Sequence, residues 1–197
     1  MPLRPQFREA LELLAAATES LIEKGYAPPI LVGGAAVEIY TGGAVTSGDF
    51  DFVSPWRDEF FAELRAVGFK APDRPGWLKW ALLHPDLDFG VQVVSKPLMD
   101  GKADTNRIML VDLTAEDAAK SLKLFLISVE DLIADRVSQA LAGRNIEESM
   151  QNQAIMLYRL TETLDRTYLD RRIGEETGND ASLQMLEDWT KDATDLA

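Results

Sequence analysis

Two carboxylates stand one residue apart in Asp49-Phe50-Asp51-Phe52-Val53, and aromatic residues alternate with them. A period of two belongs to a strand, so Phe50 and Phe52 are expected on a buried face and both carboxylates on the other, roughly 6–7 Å apart. Carboxylate oxygens at that spacing can share a hard divalent cation. The competing reading is a polar strand face in water, although two Asp in one short strand run against strand propensity. Upstream, the apolar run Ile30-Leu31-Val32 stops at Gly33-Gly34, and Ala36, Val37 and Tyr40 follow at helical spacing. That pattern is strand, tight turn, helix. Small residues there let backbone N–H groups at a helix N-terminus approach a phosphate; equally, glycine serves such a turn for close packing alone.

The remaining elements must hold this stretch in place. An amphipathic helix is predicted over residues 6–24 (Phe7, Leu11, Leu14, Ala15, Leu21), stopped by Gly25, with Pro28-Pro29 forcing an extended entry into the Ile30 strand. A second helix starts at Ser54 or Pro55 and runs to Val67. Strands are predicted over 77–83 and 87–94, joined by His84-Pro85-Asp86; in the latter, Asp88, Gly90 and Gln92 alternate with Phe89, Val91 and Val93. Short strands follow at 108–113 and 122–127. A helix from Ser128 or Glu130 to Ala142, a helical pattern over 146–172, a linker at 174–180 and a last helix over 181–194 complete the chain.

At Gly33-Gly34 and at Ser47-Gly48-Asp49-Phe50-Asp51 the sequence resembles the nucleotidyltransferase superfamily with the DNA polymerase β type of fold. It looks most like the small bacterial nucleotidyltransferase-like proteins related to abortive-infection toxins, in which a Gly-Gly-Ala-Val-type helix, a Thr-Gly-Asp-Ile-Asp-type strand and a later Glu-Asp-Leu-Ile helix recur. The last of these is matched by Glu130-Asp131-Leu132-Ile133, and the resemblance spans roughly residues 28–145. It implies an α/β (α+β) fold in which a small mixed sheet packs on helices, with a nucleotidyltransferase-like domain over 1–128 and a helical region over 129–197. It further implies that Asp49 and Asp51 hold Mg²⁺ (or Mn²⁺) on an NTP, beside Gly33, Gly34 and Ser47, for transfer of a nucleoside monophosphate to a hydroxyl on a small molecule, a protein or an RNA end.

The same resemblance implies a third carboxylate on a neighbouring strand, as ligand and general base. Gly90-Val91-Gln92-Val93 places Gln92, a neutral amide, at that position, while Asp88 stands two residues earlier. Gln92 therefore separates an active transferase from a degenerate protein that binds nucleotide or a partner without turnover, such as a toxin–antitoxin-like component. The basic residue that often precedes the Ser/Thr-Gly-Asp triplet is missing, with Val45-Thr46 in its place. Arg136 is the candidate cation for nucleotide phosphates, with an ion pair to Asp135 or Glu130 as its other reading; Arg74 and Lys79 are weaker candidates.

Composition narrows the partners. The chain of 197 residues has no Cys and one His, His84, so disulfide, thiolate-metal and Cys-nucleophile chemistry are excluded and no zinc pattern exists. A net charge of −13 argues against tight sequence-independent binding to nucleic acid, which relies on a Lys/Arg surface. Seven acidic residues and one Lys fall between Gly174 and Ala197, as in a solvated acidic helix. No signal core or membrane-length apolar run is seen, so a cytoplasmic protein is expected, its oligomeric state unread.

Overall fold

The alternation around Asp49 does form a strand, β2 (Asp49–Val53), whose Phe50 and Phe52 are fully buried. A computed structural model describes residues 3–72, 82–113 and 122–195; the predicted 77–81 part of a strand, Arg74 and Lys79 lie outside the described residues. The chain divides into two compact units, Met1–Ile127 and Ser128–Ala197.

In the first unit, α1 (Pro5–Glu23) has Pro at its first turn, where the missing N–H would have had no partner. Its apolar stripe of Phe7, Leu11, Leu14 and Leu21 is buried, and Phe7 stacks on Phe50 at 5.1 Å. Each such side chain contributes about 1.5–3 kcal/mol on burial, which fixes the helix against one face of the sheet. Next come β1 (Ile30–Val32), α2 (Gly33–Tyr40) and, after β2, α3 (Arg57–Ala66). The last begins later than predicted because the Ser54 amide still bonds the Ser95 carbonyl and extends the sheet ladder. Then follow β3 (Leu82–His84), β4 (Phe89–Ser95), two 3₁₀ turns, β5 (Met109–Asp112) and β6 (Lys123–Leu126).

Among the described residues these strands form one mixed sheet in the order β3-β4-β2-β1-β6-β5. β1 runs antiparallel to β2 and parallel to β6, and β2 runs parallel to β4, so the acidic strand is central, with a neighbour on each side.

The second unit contains α4 (Val129–Leu141), α5 (Glu148–Leu160), α6 (Arg166–Thr177) and α7 (Leu183–Asp195). The single helical pattern predicted over 146–172 is two helices. The chain turns extended at Thr161, and Asp165 caps α6 by accepting from the Tyr168 amide at 3.0 Å. Gly174 does not open a linker; α6 continues to a left-handed cap at Gly178 (φ 66°). Its core holds an ion pair between Arg172, fully buried, and Asp131, which also accepts from Ser128 and Tyr168. No described helix is long and apolar enough to cross a membrane.

Candidate site at the acidic strand

The register of the sheet sets which backbone flanks each carboxylate. Asp51 pairs with Val32 on β1 and with Gln92 on β4, and Asp49 pairs with Gly90 on β4. Since Val32 is the last residue of β1, the Gly33-Gly34 turn falls directly beside Asp51. A Cβ on Gly33 would lie 2.5 Å from Asp51 Oδ2, and Gly33 has φ +69°, so the backbone angle favours glycine and any side chain there would push the Asp51 carboxylate aside. On the other side, a Cβ on Gly90 would lie 2.4 Å from Asp49 Oδ1, which accepts a 3.1 Å hydrogen bond from the Gly90 amide. Asp49 is exposed and Asp51 half-buried. The turn and the acidic pair thus lie at one end of the central strands.

Ser47 joins them. Its hydroxyl donates to the Asp49 carbonyl at 2.9 Å and lies where a Cβ on Gly34 would approach to 3.0 Å. Its amide donates to Glu38 Oε2 at 2.6 Å. Glu38, on α2, is fully buried and takes a forked pair of bonds from Arg4, at 3.0 Å from Nε and 2.8 Å from the terminal nitrogen. No sequence motif marks either Glu38 or Arg4. A carboxylate within the apolar run from Ala35 to Tyr40 of a short helix signals that a cation must reach it, but nothing local names Arg4.

Two placements differ from expectation, those of Asp88 and His84. Asp88 is not on the strand: β4 starts at Phe89, and Asp88 is an exposed turn residue with φ 55°, a left-handed conformation that Asp tolerates. The residue opposite Asp51 is Gln92, whose Nε2 donates to Asp51 Oδ1 at 2.6 Å. Arg136, in the helical unit, is buried and engaged by Asp135 at 3.1 Å, Gln139 at 3.1 Å and Met150 Sδ at 3.2 Å, in keeping with the ion-pair reading. His84 closes β3 instead of lying in the turn, and its ring packs edge-on against Phe69 at 5.2 Å.

Among the described residues no group of three or more His, Cys, Asp or Glu is placed to hold a metal. Two carboxylates on one strand do not make an all-protein cage. Their hard oxygens do fit a magnesium-type ion, which keeps several waters and binds through one or two carboxylates plus substrate phosphates.

No family model matches the sequence, and no curated protein matches it. Solved structures do. An antigenic nucleotidyltransferase-like protein from Paracoccidioides brasiliensis is 14% identical, over 97% of this chain and 95% of that one, with a TM-score of 0.56. ANT(2")-Ia, in complex with adenylyl-2"-tobramycin, is 13% identical over 88% of this chain and 99% of that one, with a TM-score of 0.53. JHP933 from Helicobacter pylori is 13% identical over 98% and 90%, with a TM-score of 0.52. These identities carry the fold: the chain has the nucleotidyltransferase fold, a mixed sheet flanked by helices, and its chemistry must be argued from the site.

Proposed function

We propose that this protein binds a nucleoside triphosphate with a divalent cation on Asp49 and Asp51, its phosphates lying at the Gly33-Gly34 turn, as the ground state for moving a nucleoside monophosphate to a hydroxyl acceptor. The observation that carries it is the missing Cβ of Gly33, 2.5 Å from Asp51 Oδ2: the glycine turn that opens α2 and a candidate cation ligand meet at one place. In the transfer, the acceptor oxygen would bond to the α-phosphorus and pyrophosphate would leave. The cation, Mg²⁺ or Mn²⁺, supplies charge neutralisation on the phosphates. Asp49 and Asp51 would hold it, while Gly90 and Gln92 orient their carboxylates and Ser47 ties down the start of the strand. An adenylylated small molecule in one fold relative agrees with a small hydroxyl acceptor, and the net charge of −13 favours one over a polynucleotide.

A second reading is favoured by Gln92, which is opposite Asp51 and cannot accept a proton: nucleotide or partner binding with little or no turnover. The transferase and the nucleotide-binding form of the second reading share the binding step. Mg²⁺ with each NTP should raise the thermal midpoint, equivalent to about 2.7 kcal/mol at a hundredfold excess over Kd. Asp49→Asn with Asp51→Asn should abolish the cation-dependent part; an unchanged shift in that variant would put the cation elsewhere and sink the nucleotide site, leaving only partner binding. Transfer from α-labelled NTP to small-molecule, protein and RNA acceptors, with pyrophosphate release followed alongside, then separates turnover from binding.

A further inference from the structure

We propose that Arg4 and Glu38 are positioning residues for the cation site, acting through Ser47 on the orientation of Asp49; this rests on the cation–nucleotide reading above. Asp49 is the first residue of β2, so the chain before it has no ladder to hold it. That chain is rich in glycine, with Gly42 and Gly43 at positive φ and Gly48 free of neighbouring atoms around its would-be Cβ. Such a segment frays unless its polar groups are tied. Every polar group of Ser47 is tied: the amide to Glu38, the carbonyl to Arg4 at 2.7 Å, the hydroxyl to the Asp49 carbonyl.

The tie is built to be rigid. Glu38 is fully buried, so its charge demands the Arg4 fork, and an Arg fork fixes direction as well as distance. The guanidinium also lies over the rings of Phe7 and Phe89, at 5.5 and 5.6 Å. Phe89 adjoins Gly90, whose amide holds Asp49 Oδ1. One side chain from the front of α1 therefore braces α2, the loop before Asp49 and the β4 residue next to Asp49's own donor. It also returns a cation to the loop whose sequence, Val45-Thr46, has none.

The test is Mn²⁺·ATP affinity, by water-proton relaxation, together with amide hydrogen exchange at Ser47 and Asp49, on wild type, Arg4→Met, Arg4→Lys, Glu38→Gln and Lys24→Met. Lys24→Met removes a different ion pair, with Glu63 between α1 and α3, and controls for stability loss alone. Arg4→Met is expected to weaken Mn²⁺·ATP by about 10-fold, the lower end of the effect of removing a direct partner of a metal ligand, because Arg4 acts through Ser47. Exchange at Ser47 and Asp49 should quicken with and without the cation. Arg4→Lys keeps the charge without the fork and should fall between; Glu38→Gln keeps an acceptor for Ser47 and reads the same device if Arg4→Met does not fold. Lys24→Met should match wild type in affinity. A folded Arg4→Met or Glu38→Gln with wild-type affinity and wild-type exchange would overturn the inference. Should wild type itself bind no Mn²⁺·ATP, the nucleotide reading falls, and unchanged exchange in the variants would overturn the loop bracing separately.

Discussion

Gln92 stands opposite Asp51 in the parallel β2–β4 register and donates a 2.6 Å hydrogen bond to its Oδ1. The amide orients the carboxylate, and on the proposed transferase reading it stands where a third acid would act.

Gln92→Glu should therefore turn that bond into a repulsion. Two carboxylates at hydrogen-bonding distance cannot both ionise cheaply, so the variant should melt below wild type in chelator. Saturating Mg²⁺ should recover most of the loss, giving a larger cation-dependent rise than wild type shows. If the missing base is what limits transfer, the rate should rise by about 10²-fold or more. Asp88→Asn, in an exposed turn, should change neither. A Gln92→Glu protein that melts lower and ignores Mg²⁺ would show that no cation sits against Asp51.

Gly33 and Gly25 separate backbone strain from site geometry. Both have positive φ, +69° and +86°, so Ala at either should cost about 1–2 kcal/mol from the left-handed backbone. Only at Gly33 does the new methyl meet Asp51 Oδ2; at Gly25 nothing lies within 4 Å. Gly33→Ala should lose cation–nucleotide binding as well as stability, and Gly25→Ala stability alone. Equal binding by the two variants would remove the turn from the site.

What the sequence made legible follows from which forces are local. The period of two in β2 and the helical stripe of α1 are repeated contacts with one core, and both elements form where the pattern says. The start of β4 misled because Leu87, Phe89 and Val91 keep the alternation going through a turn; Leu87 is buried there, while the backbone at Asp88 is left-handed. In the same way Leu160, Leu164 and Tyr168 keep helical spacing across the break between α5 and α6, and only the cap at Asp165 marks it. The Arg4–Glu38 pair spans 34 residues, and no periodicity reports a contact of that kind.

Acid should weaken the α1–α3 contact through Glu63. Hydrogen bonds from Lys24 first and Ser20 second hold its carboxyl below the usual 4.5, against the opposing effect of burial. A depressed carboxyl contributes stability above its unfolded value that is lost as pH falls through the folded one. Lys24→Met should thus lower stability by about 0.5–1 kcal/mol near neutrality and flatten the dependence on pH below about 4.5. Urea midpoints from pH 7 to pH 3 measure this; parallel curves for the two proteins would exclude the pair as the cause.

The ion pair inside the helical unit should behave unlike the one at Glu63, because neither partner reaches water. Arg172 gives one nitrogen each to Asp131, Glu175 and Glu176, all at 2.6 Å, and these bonds raise its affinity for the proton against the effect of burial. Removing the cation leaves Asp131, 1% exposed, with Ser128 and Tyr168 as its remaining donors. Arg172→Met should cost about 3–5 kcal/mol, the usual result of stranding one member of a buried pair. Adding Asp131→Asn removes the stranded charge, so the double variant should lose less than the two single losses combined, with a coupling of about 1–3 kcal/mol. Hydrogen exchange of the α4 and α6 amides reads this unit directly, whatever the first unit does. Strictly additive losses there would mean that Arg172 is held by Glu175 and Glu176 alone, and that Asp131 is satisfied by Ser128 and Tyr168 without it.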